Sequence, residues 1–320
     1  GMYKLSARIE INGERRWTIT QVSSVEIERD TDTLTDLCKI TLPRRMLWDG
    51  MRESPVRRGD QVRVSLGYDN ELRLLFVGYV REIGVKTPIV LICEDEMYSL
   101  KSRQTKPQAY RSVSVETLIR DQGYTGELRV LGEQSLGQYR VTTDTVASLL
   151  GKLRDQGIRV FFRLEEGVPV LYAGLLLEHN TGGEVQVVAS GLNLIGDNQL
   201  EQQHADAMRL KIKVISHQRD NKCIRVEVGD QDGELRTLHT YGRSKAEAEA
   251  WGKEEYKRLK RDGLKGSLTT FCIRPLDKLD LIGVKLEGKR MGVYQVSKVT
   301  IKYGADGYHQ TITLGQRIRD

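Results

Sequence analysis

The chain has 320 residues, of which 39% are hydrophobic and 29% charged, proportions that are typical of a water-soluble globular protein. The formal net charge is +6 with the two signs interspersed, which disfavours a nucleic-acid-binding protein with a concentrated basic surface. The most apolar stretch, residues 168–177, is too short to cross a bilayer and is followed by Glu178. The sequence therefore predicts two or three soluble domains with no membrane segment and no signal peptide.

Short strands separated by turn signals dominate the first third of the chain. Alternating apolar residues lead to Asn12-Gly13, a strong hairpin signal. Residues 58–83 predict a second hairpin, in which polar residues 69–71 turn the chain and Gly78 interrupts the returning strand as a bulge or tight bend does. We expect residues 1–103 to form a small β-barrel.

The middle of the chain changes to helices and strands in alternation. Ser114 is predicted to cap a short helix that ends at Gly123, and Asp144 to cap a second helix that ends at Gly157. Strands are predicted at residues 127–131, 158–163 and 168–177. Residues 104–180 are therefore predicted to form an inserted α+β domain.

The last part returns to strands and contains one long helix. Ser244 and Glu247 have capping-box spacing, which predicts a helix over residues 244–262 that closes before Gly263. Its predicted apolar stripe, expected to lie on a barrel, consists of Ala248, Trp251, Gly252, Tyr256 and Leu259. Residues 181–320 are predicted to form a second barrel similar to the first. The predicted fold class is mainly β (α+β overall).

The residue types that usually carry catalysis or bind metals do not converge in this sequence. No nucleophile elbow, P-loop, dinucleotide fingerprint or HExxH motif is present. The four cysteines have no CxxC spacing, and we expect buried thiols in a reducing compartment at Cys38, Cys93, Cys223 and Cys272. The histidines show no metal-ligand spacing: His179, His204, His217, His239 and His309. We predict no catalytic, cofactor-binding or metal-binding residues, no cofactor and no enzymatic activity.

Several motifs, taken in order, carry a family resemblance. The Gly59-Asp60 hairpin opens the series, and Pro275-Leu276 begins a loop in which Leu279-Asp280 stands where Gly-Asp is usual. A Gly-x-Tyr-x-Val strand at residues 292–296 and a Thr-x-Thr-Leu strand at 311–314 follow. In these features the chain resembles the late control protein D family of phages, which are contractile-tail baseplate hub proteins. The hub part of type VI secretion spike proteins is related.

The resemblance implies a structural role. In such a hub, two barrels from each of three subunits make a pseudo-sixfold ring that connects the tail tube to the central spike. The implied partners are two further copies of the chain, the tail tube protein, the central spike protein and other baseplate proteins, with no membrane and no specific small molecule. The implied location is the virion tail or baseplate of a phage, a prophage or an injection-system particle.

Two other functions were weighed against this one. A nucleic-acid-binding β-barrel protein would use the mild basic excess and exposed aromatic residues on its strands. Phe76 and Tyr79 are the tempting aromatic pair, but they alternate with apolar residues and are therefore predicted to lie in the core. A cell-wall hydrolase would need paired carboxylates across a cleft, whereas the acidic run at residues 94–96 is predicted to be solvated.

Overall fold

A computed structural model describes residues 3–46, 48–50, 53–132, 135–156, 158–174, 184–196, 198–218 and 222–320. Strands dominate these residues and four α-helices accompany them, so the predicted mainly-β fold class is confirmed. Gly157, His179 and the end of the strand predicted at residues 168–177 lie outside the described residues.

Seven strands before residue 95 make up the first strand set. They are β1 (Leu5–Asn12), β2 (Arg16–Ile19), β3 (Ser24–Asp30), β4 (Leu37–Thr41), β5 (Gln61–Tyr68), β6 (Glu71–Ile83) and β7 (Val90–Glu94). They pair antiparallel in the order β2-β1-β5-β6-β7-β4-β3. The hairpin predicted at Asn12-Gly13 is present, but Asn12 pairs with Arg16, so its loop has three residues instead of two.

The β5–β6 hairpin follows its predicted pattern closely. Asp69 and Asn70 form a two-residue loop with φ of 51° and 64°, the backbone of a type I′ turn. Gly78 lies opposite Val62, and a Cβ added to it would come within 1.9 Å of the backbone oxygen of Glu94 on β7. Only glycine therefore lets β7 approach β6 at this point, which explains the interruption seen in the sequence.

The described residues in the middle of the chain form three helices and two small sheets. In chain order the elements are α1 (Met97–Lys101), β8 (Gln108–Ser114), α2 (Val115–Asp121), β9 (Glu127–Leu131), β10 (Ser135–Val141), α3 (Val146–Asp155), β11 (Arg159–Glu165) and β12 (Val168–Gly174). Strand β12 pairs antiparallel with β11 and parallel with β9, while β8 pairs with β10. The apolar faces of the helices and strands share a core of their own.

The two predicted helix caps differ in outcome. The Ser114 hydroxyl accepts a hydrogen bond from the Thr117 backbone N–H, as predicted. The cap of α3 is Thr145 and not Asp144, so that prediction was wrong by one residue. Thr145 has the extended backbone of a cap and accepts from the Ser148 N–H, while the Asp144 carboxylate accepts from the Thr145 N–H and the Ser148 hydroxyl.

The last part of the chain contains nine strands and one long helix among its described residues. They are β13 (Val185–Ala189), β14 (Gln199–Gln203), β15 (Leu210–His217), β16 (Cys223–Gly229), β17 (Glu234–Tyr241), α4 (Lys245–Leu259), β18 (Gly263–Phe271), β19 (Leu281–Leu286), β20 (Lys289–Gly304) and β21 (Gly307–Arg319). Strands β14, β18, β21 and β20 pair in that order, and β19 pairs with both β20 and β13. These six strands are the last strand set.

The two strand sets join into one sheet. Strand β20 pairs antiparallel with β3, so that Ile301 lies opposite Ile27. The thirteen strands therefore form a continuous hydrogen-bonded sheet. One cluster of buried side chains runs through both sets and includes Ile9 and Ile312, each fully buried. Since apolar burial is the main favourable term in folding, the two ends of the chain stabilise each other through this shared core.

Strands β15–β17 and helix α4 form an inserted unit within the last strand set. The strand order is β16-β15-β17, with β15 parallel to β17. The predicted capping box is confirmed, since Ser244 and Glu247 exchange both hydrogen bonds. Ala248, Gly252 and Leu259 of the predicted stripe are buried. The stripe packs on β15 and β16 of this separate three-stranded sheet, so the expectation that it lies on a barrel was wrong. Strand β17 of the same sheet was not predicted.

Candidate functional site

The loop between β18 and β19 lies where both strand sets and the middle of the chain meet. Its backbone is fixed locally: the Asp277 N–H donates to the Asp280 carboxylate at 2.7 Å, and the Leu279 N–H donates to the Val296 carbonyl on β20 at 2.9 Å. Leu279 has φ of 71°, a left-handed conformation in which a β-carbon is unfavourable. This is the position at which the sequence has Leu-Asp where Gly-Asp was expected.

Lys278 of this loop is completely buried and binds groups from two distant parts of the chain. Its Nζ donates to the Asp36 carboxylate at 2.5 Å and to the Phe162 carbonyl at 2.6 Å. The ammonium also lies 4.8 Å from the centroid of the Phe161 ring, a cation–π geometry. Asp36 precedes β4 and Phe162 is on β11, so one side chain connects the first strand set, the middle of the chain and the last strand set.

Two arginines reinforce the same contact. Arg29 of β3 donates to the Leu276 and Leu75 carbonyls, each at 2.6 Å, and its Nε lies 4.0 Å from the Asp277 carboxylate. Arg163 of β11 donates to the Asp280 carboxylate at 2.8 Å. Asp95 belongs to the same cluster, because its carboxylate accepts from the Asp36 N–H at 2.9 Å. These charged residues define the Lys278 junction, which consists of Arg29, Asp36, Asp95, Arg163, Asp277, Lys278 and Asp280.

The carboxylates of the junction differ in their affinity for protons. Burial, with a smaller effect of the neighbouring Asp36, raises the pKa of Asp95 to about 8, although Lys278 and the hydrogen bonds from the Asp36 and Met97 N–H groups act in the opposite direction. Burial also raises the pKa of Asp36, although Lys278 partly offsets it. Burial alone would raise the pKa of Asp277, but the nearby Arg29 and other cations outweigh it and lower the pKa.

These contacts give the junction a positioning role. Buried ion pairs contribute little net stability, because removing both charges from water costs about as much as their attraction returns. Breaking one partner out of such a network is costly, however, because a buried charge then loses its counter-charge. The Lys278 junction therefore fixes how three parts of the chain pack together, and its charged groups form hydrogen bonds and ion pairs with one another.

A second buried polar contact joins the end of α3 to the inserted unit. The His217 Nε2 lies 3.3 Å from the His239 Nδ1, and the His239 Nε2 lies 2.5 Å from the Gln156 carbonyl. A carbonyl only accepts, so His239 donates to Gln156 and accepts from His217. Burial, with a smaller effect of His239, lowers the pKa of His217 to about 4, and burial also lowers the pKa of His239. Both rings are therefore neutral at pH 7.

No family model and no curated protein matches the chain. Several solved structures, in contrast, have a similar fold. A tail protein from Neisseria meningitidis superposes with a TM-score of 0.65 at 13% identity, covering 98% of this chain and 97% of that one. This chain has a phage tail protein fold. The 43 kDa tail protein of prophage MuSo2 from Shewanella oneidensis gives a TM-score of 0.61 at 14% identity, with the same coverage.

The tail-protein fold extends to secretion systems. An E. coli component of the type VI secretion system, described as structurally similar to the T4 bacteriophage tail proteins gp27 and gp5, gives a TM-score of 0.56 at 14% identity. That match covers 96% of this chain and 76% of the other. The resemblance to contractile-tail hub proteins, stated from the motifs, is thus confirmed at the level of the fold.

The residues singled out in the sequence occupy ordinary places in this tail-protein fold. Phe76 is buried, as predicted, whereas Tyr79, which was also predicted to lie in the core, is only half-buried and stacks on Tyr98. All four cysteines are free thiols, but only Cys38, Cys93 and Cys272 are buried as expected, and Cys223 is partly exposed. Cys38 and Cys93 lie opposite each other on β4 and β7. The part of the chain that the structure describes contains no cluster of three or more side chains arranged to hold a metal ion. None of its helices is long and apolar enough to span a membrane.

Sequence reasoning missed both buried contacts. It placed the loop of Pro275 in the family pattern without assigning a role to its charged residues. It also predicted the acidic run at residues 94–96 to be solvated, which was wrong, because Glu94 and Asp95 are buried. Nothing local distinguishes Lys278 from an exposed lysine, because its burial depends on β11 and on the turn before β4, which are distant in sequence. The pairing of His217 with His239 likewise depends on the parallel alignment of β15 and β17.

Proposed function

We propose that this chain is a structural hub protein of a phage tail or of a related injection-system particle. The observation that carries the proposal is the match over nearly the whole length of both chains to two tail proteins. At 13–14% identity such a match establishes the fold, and the step from fold to role is our inference. The proposed location is the tail or baseplate of the particle.

The proposed assembly is a homotrimeric ring. Each copy contributes two strand sets, which the β3–β20 pairing holds side by side, and we propose that each set forms one barrel-like unit of the ring. Three copies then supply six units around one axis, which matches the symmetry of a hexameric tail tube on one side and of a trimeric spike on the other. The proposed partners are the tail tube protein, the central spike protein and other baseplate proteins.

Mass measurement tests the assembly directly. The protein would be mixed with its cognate spike protein and analysed by native mass spectrometry and by light scattering over a range of concentrations. We expect complexes with three copies of this chain for each spike trimer, whether or not the isolated chain already forms trimers, because small subunit interfaces need additional contacts to hold. A spike complex that keeps a single copy of this chain at every concentration would refute the ring.

The proposed role includes no catalysis. The described titratable clusters are buried in contacts with one another, and the proposal assigns them to packing. In a peptidoglycan zymogram and in a nuclease assay we expect no activity from highly purified protein. A lytic band that follows the protein through purification and disappears on charge removal at Asp280 or Glu166 would contradict this part of the proposal.

A further inference from the structure

A solvent-accessible cleft of about 550 Å³ lies next to the Lys278 junction. It is lined by the β5–β6 hairpin, the tip of the β11–β12 hairpin, the β18–β19 loop and Arg29 of β3. Its volume is within the range of sites that hold a ligand or a short peptide. The tip of the β11–β12 hairpin is close to β6, since a Cβ added to Gly167 would lie 3.3 Å from the Leu74 side chain.

The arginines of the cleft fall into two pairs. Arg29 and Arg163 at its inner end are already bound to the Lys278 junction. Arg63 on β5 and Arg73 on β6 lie on its outer walls, and within the described part of the chain their side chains form no hydrogen bond or ion pair. The inner carboxylates face arginine partners, so the outer arginines are the positive groups still available to a ligand.

Apolar surface lies between these charges. Leu74, Leu164 and Pro275 line the cleft and are each only partly buried. A guanidinium binds a carboxylate through paired, charge-assisted hydrogen bonds, and adjacent apolar walls favour a ligand with aliphatic groups beside its acids. The cleft therefore combines the two features that recognise an acidic segment with apolar residues between the acids.

We propose that this cleft is a docking site for an extended segment of a partner tail protein in which carboxylate side chains alternate with aliphatic ones. Arg63 and Arg73 bind the carboxylates, and Leu74, Leu164 and Pro275 contact the aliphatic groups. The proposal rests on the proposed function for the identity of the partner as a tail protein, and on the cleft itself for its chemistry.

The composition of the cleft favours a protein partner over a nucleic acid. Single-stranded nucleic acids bind along grooves where bases stack on aromatic side chains, and none of the described residues that line the cleft is aromatic. Glu166 is exposed at its edge and Asp280 is a third exposed on its floor, which repels a continuous row of phosphates. A peptide with separate carboxylates can place them at the arginines and away from the Glu166 and Asp280 carboxylates.

The test uses a defined probe and the full-length protein. A fluorescein-labelled peptide of sequence Gly-Leu-Glu-Leu-Asp-Leu-Gly is titrated with protein at low salt, and anisotropy is recorded. The matched peptide has Gln and Asn in place of the acids. We expect the acidic peptide to bind at least about tenfold more tightly than its amide counterpart, and its affinity to fall with added salt.

Variants assign the binding to the cleft. The double variant Arg63→Gln, Arg73→Gln should weaken binding of the acidic peptide by about tenfold or more. The matched control, Arg111→Gln with Arg140→Gln, removes the same charge from exposed arginines on β8 and β10 and should leave binding unchanged. Circular dichroism melting curves establish that both double variants remain folded.

Other outcomes overturn the proposal. Equal binding of the two peptides, no binding of either, or equal loss in both double variants would each contradict an acidic docking site. Tighter binding of an oligothymidylate, lost in the cleft variant, would assign the cleft to nucleic acid, and self-association lost in that variant would assign it to a second copy of the chain. None of these results changes the number of copies of the chain per spike trimer, which native mass spectrometry measures separately. Failure of the docking site is therefore distinguishable from failure of the ring.

Discussion

Leu279 combines a left-handed backbone conformation with a buried side chain. Its φ is 71°, and its side chain is 1% exposed and packs in a small cluster with Phe161, Val170 and Tyr172. The left-handed conformation costs a residue with a β-carbon about 1–2 kcal/mol, whereas burying a leucine side chain contributes about 1.5–3 kcal/mol. The burial therefore outweighs the strain, which accounts for leucine at a position where a glycine was expected.

This balance predicts an unusual order among substitutions. Leu279→Ala loses the buried side chain and keeps the strain, while Leu279→Gly loses both, so the glycine variant should be more stable than the alanine variant by about 1 kcal/mol. Urea unfolding measures the difference. The control is Leu281, buried in strand β19, where the alanine variant should be the more stable one. An alanine variant that is more stable than the glycine variant at both positions would show that the backbone of Leu279 is not strained.

Lys278 is the residue on which the junction depends. Lys278→Met keeps most of the side-chain volume but leaves the buried Asp36 carboxylate without its cation, which should lower the free energy of unfolding by about 3–5 kcal/mol. Lys289→Met, at an exposed position of β20, is the matched control and should change stability by less than about 0.5 kcal/mol. Similar stabilities of the two variants would mean that Lys278 does not hold the junction together.

The raised pKa of Asp95 predicts how the stability of the protein depends on pH. Its pKa is about 8 in the folded protein against a usual value of 3.8, so between these values the folded state binds a proton that the unfolded state has released. Stability should therefore fall as pH rises through this interval, by up to about 2 kcal/mol between pH 6.5 and 8. His217, with its pKa lowered to about 4, acts in the opposite direction, but only below pH 6.5.

Urea unfolding at several pH values above 6.5 separates the two groups. The unsubstituted protein should lose stability between pH 6.5 and 8, and Asp95→Asn should reduce that loss, even if the variant is less stable throughout. His217→Gln is the control, because its titration lies below the interval and the slope should stay unchanged. A stability that rises with pH in this interval would be inconsistent with a protonated Asp95.

At the scale of elements, helix α4 shows what a sequence pattern can and cannot predict. Its capping box and apolar stripe follow from local spacing, and both are present. Its packing partner does not follow from local spacing, because β15, β16 and β17 form their own sheet through strand pairing, including the parallel pairing of β15 with β17. The cap of α3 shows a smaller error with a local cause. Asp144 and Thr145 are both good capping residues, and the backbone conformation decides between them.

The packing of α4 on its sheet is close at Gly252. A Cβ at this position would lie 3.0 Å from the Val228 side chain and 3.1 Å from that of Val214. Gly252→Leu should therefore push the helix away from β15 and β16 and destabilise the protein by about 1–3 kcal/mol. Lys253→Leu introduces the same residue at the next, exposed position and should change stability by less than about 0.5 kcal/mol, as measured by urea unfolding. Equal effects would mean that α4 does not pack closely here.

At the scale of the whole molecule, the first and last parts of the chain form one sheet. Sequence analysis predicted strands in both parts, because alternation and turn residues are local signals. It did not predict that β3 and β20 pair, since pairing between distant strands leaves no local trace. The Lys278 junction, which also depends on distant contacts, was missed for the same reason.

Electron cryomicroscopy of the particle that carries this chain tests the central claim most directly. The account predicts three copies of the chain in a ring at the junction of tail tube and spike, with six sheet units around the axis and the β3–β20 pairing intact within each copy. Particles that contain the chain away from this position, or in a number other than three at it, would contradict the account.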